Sequence, residues 1–242
     1  MIPDFIRGTV LFRAARALLK RDQKNIKKSY QTALRASHSI ELHFDIALTP
    51  KTPIRDVANL SSVYYSDVHK TNSSYGDNNW MLEHQSRIME INPISVIEIG
   101  CGNGRFIAAV ARFGTNAVGL DWARAPSIDS LPDGADFRVC NIITDDIPTG
   151  DLICSADVLE HIPSDDIEAV LSKIVKAGPR QFHVISCYDD GHSHLTILPP
   201  YMWLTLFRKI DPSFKIDDVW LRRDDPNQIV VSVTNIPNLS SR

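Results

Sequence analysis

Ser95-Val-Ile-Glu-Ile-Gly100-Cys-Gly-Asn-Gly104-Arg-Phe-Ile107 is the stretch on which the reading of this chain turns. Ser95–Ile99 is a short, β-branched run of the kind that forms a buried strand, and Phe106–Phe113 reads as a helix. Three glycines lie between them, although the whole chain holds only 11 in 242 residues. Such crowding in one strand-to-helix turn means that the backbone there is approached closely. Glycine accepts positive φ and has no Cβ to hold a ligand off, and the following helix presents N–H groups at its positive end.

Working outward, the chain alternates helices with short strands, which predicts an α/β domain with a parallel sheet. Upstream, Trp80–Glu90 reads as a helix ended by Pro93. Downstream, Ala117–Leu120 is a second strand ending at Asp121, Asp136–Cys140 a third, Asp151–Ser155 a fourth and Gln181–Cys187 a fifth. Helices are expected after Pro163 and over Tyr201–Ile210. Phe214–Arg223 and Gln228–Thr234, joined by Asp224-Asp-Pro-Asn227, have hairpin chemistry. Residues 80–242 are therefore expected to form the main domain, and residues 1–79 a helical extension with weak signals at Ile40–Leu48 and Ile54–Tyr65.

The composition, 43% hydrophobic and 23% charged in 27.1 kDa, excludes a disordered or fibrous chain. The net charge of −3 averages two unlike pieces. Residues 1–28 carry eight Lys/Arg against two Asp, a balance of +6, which leaves −9 on the remainder. Their apolar residues recur at loosely helical spacing, so a basic amphipathic helix is expected, suited to a solvated face, an oligomer contact or an anionic membrane surface. Cys101, Cys140, Cys154 and Cys187 are far apart and mostly within apolar runs, which fits reduced, buried thiols. No apolar run is long enough to span a bilayer, so a cytoplasmic protein is expected, peripheral at the inner membrane face if the leader binds lipid. Five Asp-Asp pairs and the lack of a second basic stripe speak against a nucleic-acid partner.

Spacing in the glycine loop separates candidate ligands. A dinucleotide fingerprint places its last glycine at 105, where this chain has Arg105, which opposes a nicotinamide-dependent oxidoreductase; a Walker loop would need a Gly-Lys-Ser/Thr that does not occur. Val96-Ile-Glu98-Ile-Gly100-Cys101-Gly102-Asn-Gly104 instead resembles the first motif of class I S-adenosylmethionine-dependent methyltransferases. Gly119-Leu-Asp121 and Asp151-Leu-Ile-Cys-Ser-Ala-Asp-Val-Leu-Glu-His-Ile-Pro163 match further segments of that family, and the similarity runs from about Trp80 to Thr234. The resemblance implies a Rossmann-like seven-stranded sheet with an antiparallel C-terminal hairpin, and S-adenosylmethionine as cofactor. It also implies that Gly100, Gly102 and Gly104 shape the methionine-side pocket, that Glu98 and Cys101 of the same motif bind the cofactor, that Asp121 receives the ribose, that Trp122, Asn141 and Ile142 surround the adenine, and that Ala156 makes a backbone contact. Asn141 stands where the family often has an acid.

Substrate is expected at the carboxyl ends of strands four and five. There the chain offers Glu160 and His161, then Asp189-Asp-Gly-His-Ser-His194. An imidazole near neutral pKa suits removal of a hydroxyl proton, and His194 leads His192 and His161 as candidate base because Leu195–Leu198 would anchor it. No metal is expected, since hard-metal sites in such enzymes depend mostly on carboxylates. Residues 62–80, with Tyr64, Tyr65, Tyr75 and Trp80, are the candidate lid. The segment from Asp189 through Pro200, with Trp203, resembles bacterial methyltransferases that modify sugars. The reading is thus O-methylation of a glycan or small hydroxylated metabolite, against a catalytically idle scaffold subunit as the alternative from another class.

Overall fold

The computed structural model describes residues 60–72 and 80–239. Residues 1–59 lie outside them, so the expected leader helix and the signals at 40–48 do as well; so do residues 73–79 of the candidate lid. Seven strands form one sheet: β1 (Ser95–Ile99), β2 (Asn116–Asp121), β3 (Ala135–Val139), β4 (Leu152–Ala156), β5 (Arg180–Ser186), β6 (Lys215–Leu221) and β7 (Ile229–Thr234), in the order β3-β2-β1-β4-β5-β7-β6. β1 to β5 are mutually parallel, and β7 runs antiparallel between β5 and β6. Six strands therefore share one direction, and the Rossmann-like fold expected from the sequence is the one observed.

Burial on both faces explains why the central strands are almost purely apolar. Along β1, Val96 turns to one face, where it packs with Phe106 and Val110 of α3 (Arg105–Arg112) and with Leu152 and Phe182. Ile97 turns to the other, against Ile153, Leu171 and Ile174 of α4 (Ile167–Ala177) and Trp203 and Phe207 of α5 (Pro200–Arg208). Two helical layers thus sandwich the sheet. Chain order reverses between β1 and β4, and the crevice beyond the carboxyl ends of these two strands is where an open α/β sheet binds ligands.

Two helical expectations shift. Trp80–Glu90 is a 3₁₀ turn, Trp80–His84, followed by α2 (Gln85–Glu90). The tighter turn aligns side chains three apart, so Met81 and His84 both face inward, the latter 5.0 Å from the Phe182 ring and 5.8 Å from that of Trp220. Of the signal placed at Ile54–Tyr65, residues 54–59 lie outside the described residues; its end falls in α1 (Ser62–Thr71), which begins where Ser61 Oγ accepts the Tyr64 N–H at 3.3 Å. Among the described residues no helix is long and apolar enough to cross a membrane.

Arg87 of α2 and Asp217 of β6 form a fork-shaped ion pair, with nitrogen-to-oxygen distances of 3.0 and 2.8 Å and both side chains 9% exposed. It clasps the helix that precedes the glycine loop to the far edge of the sheet. Asp217→Ala, which strands the guanidinium without its carboxylate, is expected to cost about 3–5 kcal/mol in urea unfolding.

Candidate functional site

A cleft of about 620 Å³ opens at the carboxyl ends of β1, β2 and β4, and α1 lies across it. Its floor is the glycine loop. Gly100, at φ +67°, passes under the segment after β4 so closely that a Cβ would stand 2.2 Å from Val158 Cγ2. Gly102, at φ +51°, is different: a Cβ there would meet only the edge of the His69 ring, at 3.8 Å, so its missing side chain keeps cleft space open. Gly104 does not line the cleft. It begins α3 and packs beneath Ile128 and Leu131, so its place in the expected pocket passes to its neighbours.

Asp121, at the tip of β2, accepts N–H groups from Gly102 at 2.8 Å and Ala123 at 2.9 Å. Burial raises its carboxyl above the ordinary range, opposed by those N–H groups and by His69 facing it from α1. Glu98 also lines the cleft; burial, then the nearby Asp121, pushes it well above the carboxylate range, and its Oε2 has no hydrogen-bond partner among the described residues. Cys101, Trp122, Asn141, Ile142 and Ala156 line the same cleft. Trp122 leaves 37% of its surface exposed there, an apolar plate suited to stacking. Asn141 Oδ1 accepts the Ile143 N–H at 3.1 Å, so its carbonyl serves the turn.

At the opposite end of the cleft the three expected histidines converge. Asp190 organises them: its carboxylate accepts N–H groups of His192, Ser193 and His194 at 2.8, 2.8 and 3.1 Å and the Ser193 hydroxyl at 2.7 Å. That set of donors outweighs partial burial and holds its pKa down at about 2. His161 Nδ1 bonds the Ser193 carbonyl at 3.0 Å and His194 Nδ1 the Tyr188 carbonyl at 2.6 Å; the two rings lie 4.9 Å apart. Burial, then His194, lowers His161 to about 4, so its imidazole is neutral. His192 is exposed and its Nε2 meets the hydroxyl of Tyr64 on α1.

Several residues that line this cleft are absent from the sequence expectations. His69 faces Asp121 from α1. Arg222, at the end of β6, bonds Asp157 at 2.7 Å, Ser186 Oγ at 3.1 Å and Tyr188 at 3.0 Å, beneath the Trp80 ring at 4.2 Å. Asp157 holds φ +56°, a strained setting that its bonds to Arg222 and Ser186 maintain. Their only sequence signals are the acid inside the fourth-strand segment and the double arginine at the end of a strand. Of the other histidines, His183 is buried away from the cleft, bonded to Ser155 and Gln181 and lowered by burial to about 3.

Residues 78–214 match the profile of a family described as a methyltransferase domain. No curated protein matches the sequence significantly. Among solved structures, the fold is similar to 1,6-didemethyltoxoflavin-N1-methyltransferase of Burkholderia thailandensis with bound S-adenosylhomocysteine (TM-score 0.56, 18% identity, covering 79% of this chain and 97% of that one). It is also similar to the N-terminal domain of EvdMO1 in the presence of S-adenosylhomocysteine and D-fucose (0.52, 14%, 65% and 83%) and to the mitomycin 7-O-methyltransferase MmcR (0.51, 16%, 74% and 62%).

The two cleft glycines separate strain from collision. Gly102→Ala is expected to lose about 1–2 kcal/mol, the cost of a left-handed backbone alone. Gly100→Ala adds the collision with Val158, a further loss of about 1–3 kcal/mol in denaturant titration.

Proposed function

From the premise that the chain belongs to the methyltransferase-domain family, we propose that it is an S-adenosylmethionine-dependent O-methyltransferase acting on a sugar or other small hydroxylated molecule. The observation that carries this reading is one continuous cleft with the glycine loop and Asp121 at one end and His161, His192 and His194 at the other. The donor set fits the cofactor. Gly102 leaves its backbone bare toward the cleft, Asp121 offers carboxylate oxygens to a ribose, Glu98 has an unbonded oxygen for an ammonium group, and Trp122 and Ile142 offer apolar surface to an adenine. When bound, the cofactor supplies an electrophilic methyl group on a sulfonium centre.

In-line displacement leaves the protein two tasks, alignment of the acceptor oxygen and removal of its proton. Alignment falls to the pocket walls that Tyr65, Tyr188, Arg222 and the two enclosed imidazoles build. Proton removal falls to His192 in preference to His194. His194 is enclosed and tied through Nδ1 to the Tyr188 carbonyl, whereas His192 is exposed and can pass a proton to water. Tyr64, against His192, and Tyr65, 6.3 Å from Trp122 and 6.5 Å from His161 between ring centroids, make α1 a cover over both ends of the cleft. Burial, with the charges of Asp190 and Asp121 beside it, raises the Tyr65 phenol, so it stays a neutral hydroxyl at the substrate end. The EvdMO1 domain seen with D-fucose supports a sugar acceptor.

Calorimetry with S-adenosylhomocysteine tests the cofactor end. Asp121→Ala is expected to lose about 1.5–3 kcal/mol of binding, roughly 10- to 100-fold. A panel of hydroxylated acceptors, followed by release of S-adenosylhomocysteine, tests the other: His192→Ala is expected to lower kcat by about 10²- to 10⁴-fold while cofactor affinity holds. Unchanged turnover in that variant would remove His192 as the base.

A further inference from the structure

His161 and His194 line the substrate end of the cleft and Glu160 is buried beside them; one donor atom from each of the three lies within 4.8 Å of the other two. Three features mark this as more than a chance gathering. Both histidines use Nδ1 on a backbone carbonyl, which fixes the tautomer with the proton on Nδ1 and leaves Nε2 as a lone-pair donor, the arrangement that orients metal-bound imidazoles. Glu160 is fully buried; its Oε1 accepts the Ser186 N–H at 2.9 Å, and its Oε2 has no hydrogen-bond partner among the described residues. A buried carboxylate oxygen left so is costly unless something else meets it.

The backbone holds the three together independently of their side chains. The Glu160 carbonyl accepts N–H groups from Leu195 at 2.7 Å and Thr196 at 2.9 Å, and Thr196 Oγ1 donates to the Ile162 carbonyl at 2.7 Å. The segment after β4 and the loop after β5 are thereby stitched at Glu160 and at residues next to His161 and His194. Bonds of about 2.0–2.2 Å set tetrahedral donors roughly 3.4 Å apart, so closure onto an ion needs only rotamer-scale movement.

We propose that Glu160, His161 and His194 bind a divalent transition-metal ion of the zinc class at the substrate end of the cleft. Two imidazoles and one carboxylate suit that class over magnesium or calcium, which take oxygen donors. Three protein ligands leave a coordination position open. The site stands apart from the methyl-transfer reading; only the fourth ligand, a substrate hydroxyl made acidic by the metal, rests on that reading. It departs from the sequence expectation of no metal, which weighed hard-metal sites built mostly on carboxylates and did not bring Glu160 and His161 together with His194.

The full chain, stripped with chelator, is titrated with Co²⁺ and then Zn²⁺. One Co²⁺ per chain is expected, with visible d–d bands, no thiolate charge-transfer band, and displacement by Zn²⁺. Glu160→Gln, His161→Gln and His194→Gln are each expected to weaken Zn²⁺ binding at least 10-fold, with S-adenosylhomocysteine affinity retained in the two histidine variants. Absence of stoichiometric binding by the wild-type chain, a thiolate band pointing to the cysteines, or Zn²⁺ affinity that survives all three substitutions would each overturn the site. The spectrum of the wild-type chain decides even if a variant fails to fold. Loss of S-adenosylhomocysteine binding by the wild-type chain would instead overturn the methyl-transfer reading and leave the metal site standing.

Discussion

The carboxylate of Asp121 bonded to the Gly102 N–H at 2.8 Å is the contact on which the site depends. It ties the tip of β2 to the loop leaving β1, so the loop bends across the sheet edge and its bare backbone forms the cleft floor. The bend is feasible because Gly100 lets the chain pass beneath Val158, and it leads into α3. Register between β1 and β2, with Ile99 opposite Leu120, puts the two strand ends level, so carboxylate and loop meet without distortion. Everything else in the cleft is arranged around that junction.

The other end is built by a different device. Its residues come from three connections, after β4, β5 and β6, and polar pairing replaces glycine as the organising element. Asp190 gathers the N–H groups of 192–194, the Glu160 carbonyl holds 195–196, and Arg222 bridges Asp157, Ser186 and Tyr188. Buried polar groups of this kind rigidify a site only when nearly all are satisfied. Among the described residues, Glu160 Oε2 and Arg222 Nε lack a hydrogen-bond partner, and burial with Asp157 pushes the Glu160 acid up to about 8.

What the sequence made legible follows from how local each signal is. The strand, the glycine turn and Asp121 lie within 27 residues of one another, so the fold and the residues that gather at this end of the cleft were readable. The loop at 189–194 was readable as chemistry because its acids and imidazoles are contiguous. Arg222 and His69 were not: each acquires its place only when a strand end or α1 closes over residues far away in sequence. Gly104 misled for the reverse reason, since its motif position is shared with two glycines that face the cleft while it faces Ile128. The 3₁₀ turn at Trp80–His84 depends on burial of Met81 and His84, which a helical period cannot distinguish from a straight helix.

A crystal structure of the chain soaked with S-adenosylhomocysteine tests the central claim most directly. The account predicts density along the glycine loop, with the ribose hydroxyls on Asp121, the adenine against Trp122 and Ile142, and the sulfur turned toward the histidine end of the cleft. Density elsewhere, or a cleft that stays empty at saturating ligand, would contradict it.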